Sequence, residues 1–423
     1  MLVTPRPRHP VAAARRTLRR GEAGFTLIEL LVALILLSIL IVAILGMFDA
    51  SNKLARVQTH VADMQQSLRI AQYQMVRNVR MAGRGGLIRG DLPNMVSVAV
   101  RNNVPADSRI GDAASPRIVE GTDVLTVRGV FDTVYHVNPP ASAMTLDADV
   151  SPTSGTIRLQ NPIPETGVAQ DLDPLIQAVE AERREALVLV SPLGGSLYGV
   201  VELDPSHGDT SIDDPTDITI GFKITGGDNT AGYNVISPGG AFPIDLRSVA
   251  YLGILQEYRY YVRERYAIPG DASSQLRPSL AQARFYPGSQ AVYEGMSGDD
   301  VAENILDLQV VLALDLDGDG LIGAEDLAVA NDEWLYNSGE DDDTDLDLWN
   351  GAAGADTPTL AYVRINTLAR TDRGDFQYVS EAIDRIEDHA YDEADDPATS
   401  DEIRDRRHRR RVLQSIVELR NLS

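Results

Sequence analysis

From Phe25 to Phe48 every residue is apolar except Thr26, Glu29 and Ser38. A run of this length is enough to cross a bilayer as one helix. Glu29 does not fit a plain anchor, because an ionised carboxylate inside the apolar run is costly and marks a functional group awaiting a positive partner. Upstream stand Arg15, Arg16, Arg19 and Arg20, then Gly24. A cut after Gly24 exposes the α-amine of Phe25, one helical turn from Glu29. In an assembly of packed helices the Glu29 of an incoming subunit can pair with the amine of the subunit before it. The burial cost then becomes a docking signal. A cleaved secretory signal fits poorly, since the run far exceeds an h-region and no small-residue cleavage site follows it.

The stretch GFTLIELLVAL, from Gly24 to Leu34, resembles the class III leader of type IV pilins and type II secretion pseudopilins. That resemblance implies cleavage between Gly24 and Phe25 by a prepilin peptidase of the inner membrane, methylation of Phe25, and a subunit-docking role for Glu29. It divides the chain into a cytoplasmic leader (1–24), a membrane half-helix (25–48), an amphipathic half-helix (49–82) and an exported β-rich head (83–423).

The formal charge is −24 over 423 residues, and removing the leader's six Arg and one Glu leaves the mature chain near −29. Nucleic acid is a poor partner for such a surface. The positive leader keeps the N-terminus cytoplasmic, so the bulk is exported to the periplasm. Cys is absent, so no disulfide pins the long loops.

Beyond the membrane run, Leu54, Val57, Val61, Met64, Leu68, Ala71, Met75 and Val79 recur at helical steps, a single stripe to bury. Lys53, Arg56, Gln65, Gln66, Arg69 and Arg77 fall on the other face. No proline interrupts the chain between Phe25 and Pro93, Gly46 permits a bend without forcing one, and Gly83, Gly85 and Gly86 end the helix. Strands are expected over Thr122–Val130, Ala186–Val190, Gly199–Leu203, Asp217–Ile224, Gln256–Arg263, Ala283–Tyr286, Asp307–Leu314, Tyr362–Leu368 and Val412–Leu419. The fold class is α+β: a long N-terminal helix whose second half lays its stripe on an antiparallel sheet. In this order, the segments VRNVRMAGRGG, GTDVLTVRG, QEYRYYVR, AENILDLQVVLALDLDGDG, YVRINTLAR and RRRVLQSIVELRN resemble PilW-type minor pilins. A GspJ-like minor pseudopilin of type II secretion shares the general plan.

One loop carries metal chemistry. Asp315–Asp326 (DLDGDGLIGAED) places carboxylates at positions 1, 3, 5 and 12 and glycine at 6, the EF-hand spacing with Asp in place of Glu at 12. Asp315, Asp317, Asp319, the Leu321 carbonyl and Asp326 are the expected calcium ligands, with a helix Glu325–Trp334 following. Three such carboxylates repel one another without a cation, and an all-oxygen set disfavours zinc. The acidic run Glu340–Asp347 reads as a solvated loop or a second weak site. The basic run Arg406–Arg411 is expected to face the acidic segment Glu381–Asp405, and Tyr258, Tyr260 and Tyr261 to pack rather than bind. No catalytic motif is visible, and the chain reads as the substrate of an enzyme rather than an enzyme. The PilW resemblance implies a minor pilin that primes pilus assembly near the tip with other minor and major pilins and a tip adhesin. A second alternative is a membrane-tethered calcium-dependent adhesin whose head binds glycan or surface directly; a glycan site usually shows exposed aromatics, and this chain has only Trp334 and Trp349 beside the acidic region.

Overall fold

A computed structural model describes residues 25–84, 96–110, 116–137, 144–146, 154–191 apart from 184, 197–223, 249–288 apart from 269, 270, 272 and 275, 292–293, 298–325, 333–337, 359–393 apart from 392, and 399–419. Gly24, Gly85, Gly86, Asp326 and Glu340–Asp347 lie outside them.

Helix α1 runs unbroken from Leu27 to Arg80, as the absence of proline allows. Two compact units divide within it, one up to Thr59 and one from His60 onward. In the first unit the apolar side chains from Phe25 to Phe48 are all exposed, and the helix is long and apolar enough to cross a membrane. Leu54, expected on the buried stripe, is 59 % exposed. Packing begins at Val61 and becomes burial at Met64, Leu68, Ala71, Met75 and Val79. The helix stops where predicted. Gly83 takes a left-handed φ of +72°, which glycine adopts without a Cβ clash, and donates its N–H to Arg128 O at 3.0 Å.

Among the described residues of the second unit, the strands pair antiparallel. The first eleven are β1 (Val98–Arg101), β2 (Val124–Gly129), β3 (Val134–His136), β4 (Met144–Leu146), β5 (Ser154–Gln160), β6 (Ala186–Ser191), β7 (Leu197–Leu203), β8 (Asp217–Lys223), β9 (Tyr251–Tyr266), β10 (Leu276–Phe285) and β11 (Asp299–Glu303). They join into one sheet around β9, which spans 16 residues. The first part of β9 pairs with β3 and β6, and its later part with β2 and β10. The second sheet has the order β13 (Trp334–Leu335), β12 (Ile305–Asp315), β14 (Thr359–Arg370), β17 (Arg410–Glu418), and a small hairpin joins β15 (Arg385–Ile386) to β16 (His389–Ala390). Two short helices complete the set, α2 (Asp173–Glu180) and α3 (Ser400–Arg406).

The expected strands are all present, several of them longer than expected. The expected helix Glu325–Trp334 is not borne out at its end. Trp334 opens β13 and pairs with Ala313, because this register buries Leu335 opposite Leu312.

One core joins the helix to both sheets. Met64, Leu68, Met75 and Val79 pack with Tyr260, Val262 and Leu280 of the first sheet. The same cluster holds Leu308, Val310, Leu312, Leu314, Val363 and Ile365 of the second. Leu308, Val310, Leu312 and Leu314 share one strand face, as period-2 alternation requires. Polar groups tie the same helix faces down. Gln72 Nε2 donates to Thr367 Oγ1 at 2.9 Å and Leu413 O at 3.0 Å, while Asn78 Nδ2 donates to Tyr260 OH at 2.7 Å. A second apolar core gathers β5 to β8 and the start of β9 under α2.

Candidate functional site

The start of α1 is a closed hydrogen-bonded unit. Thr26 precedes the first helical residue, and its Oγ1 accepts from Glu29 N at 3.3 Å. The Glu29 carboxylate accepts from Thr26 N and from Thr26 Oγ1, both at 2.9 Å. This is the reciprocal capping box of a Thr-x-x-Glu sequence. The Thr26-x-x-Glu29 spacing is legible in the sequence as this motif. The carboxylate therefore sits at the positive end of the helix dipole and serves the isolated chain as a cap. Phe25 stands beside it, 87 % exposed.

The acidic loop leaves β12 at Asp315. Asp315 accepts from Gly318 N at 2.7 Å and Gly320 N at 2.9 Å, Asp317 from Asp319 N at 3.0 Å, and Asp319 from Leu321 N at 2.7 Å. Gly318 and Gly320 take φ of +76° and +79°, the turn that the glycine spacing predicts. Ligand atoms of Asp315, Asp317 and Glu333 come within 4.8 Å of one another. Glu333 was not foreseen. It arrives because β13 returns beside β12, and it also accepts from Leu316 N at 3.2 Å and from Gly323 N. Asp319 stands outside that trio, and the Leu321 side chain is 69 % exposed.

The exit of the loop is held by Arg364 on β14. Its guanidinium donates to Glu325 at 2.6 and 2.9 Å and to Glu387 at 2.6 Å, and lies 4.9 Å from the Trp334 ring centre. The hydrogen bond from Arg364 holds the Glu325 carboxyl below the usual carboxylate range.

A buried polar cluster at the seam between the sheets went unseen in the sequence. Asp123 accepts from Val310 N at 2.7 Å and Asn103 N at 3.0 Å. Burial first, and the Asp388 carboxylate second, push its pKa well above the usual range. Asp307 accepts from Gln309 Nε2 at 2.9 Å and from the Tyr391 hydroxyl. His389 Nδ1 lies 3.1 Å from Asp307, and its ring stacks on Tyr391 at 4.6 Å. Burial lowers the His389 pKa, but Asp307 and Asp388 outweigh it and raise the imidazole above its ordinary value. The cluster clamps the β15–β16 hairpin over the seam. Its partners lie far apart in sequence, 187 residues in the case of Asp123 and Val310, so no local pattern could reveal it.

The basic run is largely consumed within the chain. Arg406 donates to Ser380 O at 2.7 and 3.0 Å, and Arg410 pairs with Glu393. Arg409 stands 3.7 Å from Asp375 and over the Tyr378 ring, and Arg407 over Phe376. Tyr260 and Tyr261 are fully buried and Tyr258 packs on Phe131, so the three tyrosines serve the core.

Among known families, the prokaryotic N-terminal methylation motif matches residues 19–45. No curated protein and no solved structure matches the chain. The match covers Arg19, Arg20, Gly24, Phe25, Thr26 and Glu29. The chain thus carries the class III prepilin leader of type IV pilin-like proteins. Such a leader implies processing by a prepilin peptidase, anchoring through the apolar helix, and assembly with other pilins.

Proposed function

Starting from that leader, we propose that this chain is a minor pilin of PilW type, held in the inner membrane with its head in the periplasm until it joins a type IV pilus. The observation that carries the reading is the leader followed by an exposed apolar helix start bearing Glu29 beside Phe25. Cleavage after Gly24 frees the Phe25 amine, and Glu29 of one subunit exchanges its own cap for the amine of a neighbour. The amphipathic half of the helix, keyed to both sheets through Gln72 and Asn78, passes load from the filament to the head. The ordered segments from VRNVRMAGRGG to RRRVLQSIVELRN support the PilW type, and the bulk of the head suits a low-copy position near the tip with other minor pilins and an adhesin. The role is structural rather than enzymatic.

Calcium is part of the proposal. Asp315, Asp317 and Glu333 converge, and Asp319, the Leu321 carbonyl and Asp326 complete an oxygen set by sequence position. A bound ion would cross-link the loop in a chain without cysteine.

A deletion strain tests the role. Loss of sheared surface filaments with normal protein secretion is the expected outcome. Normal filaments with lost secretion would overturn it in favour of a type II pseudopilin.

A further inference from the structure

Strand β17 closes one side of the second sheet and, among the described residues, pairs only with β14. Its register runs from Arg410 to Glu418 without a shift. Thr371 N donates to Arg409 O and Leu419 N to Ala361 O, so the odd-numbered positions bond toward β14. In an antiparallel pair the intervening residues turn their N–H and C=O the other way. Val412, Gln414 and Ile416 therefore turn their backbone donors and acceptors away from β14, where no described strand pairs with them. Proteins blunt such edges with proline, lysine, a bulge or a very short strand. The run Val412–Val417 (VLQSIV) has none of these.

The surroundings suit an extended chain. Val412 and Ile416 are 41 % and 55 % exposed on one face of the strand. A groove of about 480 Å³ lies beside it, bounded by Leu368, Val379, Glu381, Ile383, Arg411 and Val412. Arg406, Arg409 and Arg410 are engaged with acceptors of this chain, whereas Arg411 is exposed and forms no ion pair among the described residues. It is a positive point beside the edge in a strongly acidic protein.

We propose that the outer edge of β17 accepts an extended strand from a partner polypeptide. The strand carries alternating apolar side chains that cover Val412 and Ile416, and a carboxylate that pairs with Arg411. Backbone pairing supplies affinity, and the alternate side chains supply selection. The inference stands apart from the filament role, because the edge exists whatever assembly the chain enters.

The test uses the full chain in detergent and fluorescent peptides of about ten residues, alternating valine and threonine with glutamates at one end. A lysine counterpart, and a version N-methylated at alternate amides, serve as comparisons. Fluorescence anisotropy should give binding about tenfold tighter for the glutamate peptide than for the lysine peptide, and none for the N-methylated one. Arg411→Glu should reverse the charge preference. Gln414→Pro removes an outward-facing N–H without cutting the ladder to β14 and should abolish binding. Absence of binding by the glutamate peptide would overturn the proposal, as would binding that survives N-methylation or ignores Arg411→Glu. Dimerisation of the chain through this edge without peptide binding would overturn it too.

Discussion

Tyr260 offers the sharpest test of how the helix is fixed to the sheets. It is fully buried on β9, and its hydroxyl accepts from Asn78 Nδ2 of α1 at 2.7 Å. Tyr260→Phe removes one oxygen and leaves the ring packing intact. It also leaves the Asn78 amide, itself only 6 % exposed, without that acceptor. Stranding a buried donor costs more than the net value of a hydrogen bond, so the loss should be about 2 kcal/mol. Tyr258→Phe on the same strand is the control. Tyr258 is half-buried and packs its ring edge-on to Phe131 at 5.3 Å, and its change should stay within about 0.5 kcal/mol. Urea unfolding of the full chain, followed by tryptophan fluorescence, should show a lower midpoint at unchanged slope for Tyr260→Phe. Combined with Asn78→Ala, the double mutant should fall short of additivity by about 1 kcal/mol. If Tyr260→Phe is as stable as the wild type, the contact does not hold the helix to the sheet.

Three further outcomes follow from the sites. Glu29→Gln keeps a capping box, which accepts Gln at that position, but loses the charge; helicity should persist while recovery in sheared filaments falls, and normal recovery would remove the amine-pairing role. His389 faces Asp307, Asp388 and Tyr391 and has a raised pKa, so its contribution is full below the unfolded value of about 6.5 and fades as pH rises through the higher folded value; urea midpoints of wild type and His389→Gln should therefore differ more at about pH 5.5 than at about pH 9. Calcium at about a hundredfold excess over Kd should stabilise the wild type by about 2.7 kcal/mol relative to chelator, and Asp317→Ala should abolish the difference; a wild type indifferent to chelation contradicts the metal site.

What the sequence disclosed was local. The apolar run, Glu29 and the Gly83 stop are read from neighbours in the chain, and so are the alternating face of β12 and the turn at Gly320. The structure places the apolar helix, the stop, the face and the turn accordingly, and shows Glu29 as the cap of the helix start. What escaped was long-range or overruled by packing. A 16-residue β9 serving different partners along its length looks like one short tyrosine-rich strand in sequence. Trp334 fits a helical pattern until Leu335 is needed against Leu312. Glu333 joins the acidic loop only because that same strand folds back. Leu54 continues the helical stripe in sequence, but the packed stretch of α1 begins only at Val61.

The most direct measurement is mass spectrometry of the N-terminal peptide of this chain in filaments sheared from cells. The expected product is a peptide beginning at Phe25 with a methylated amine, enriched in the filament fraction. A chain that retains its leader, or a processed chain absent from the filaments, would contradict it.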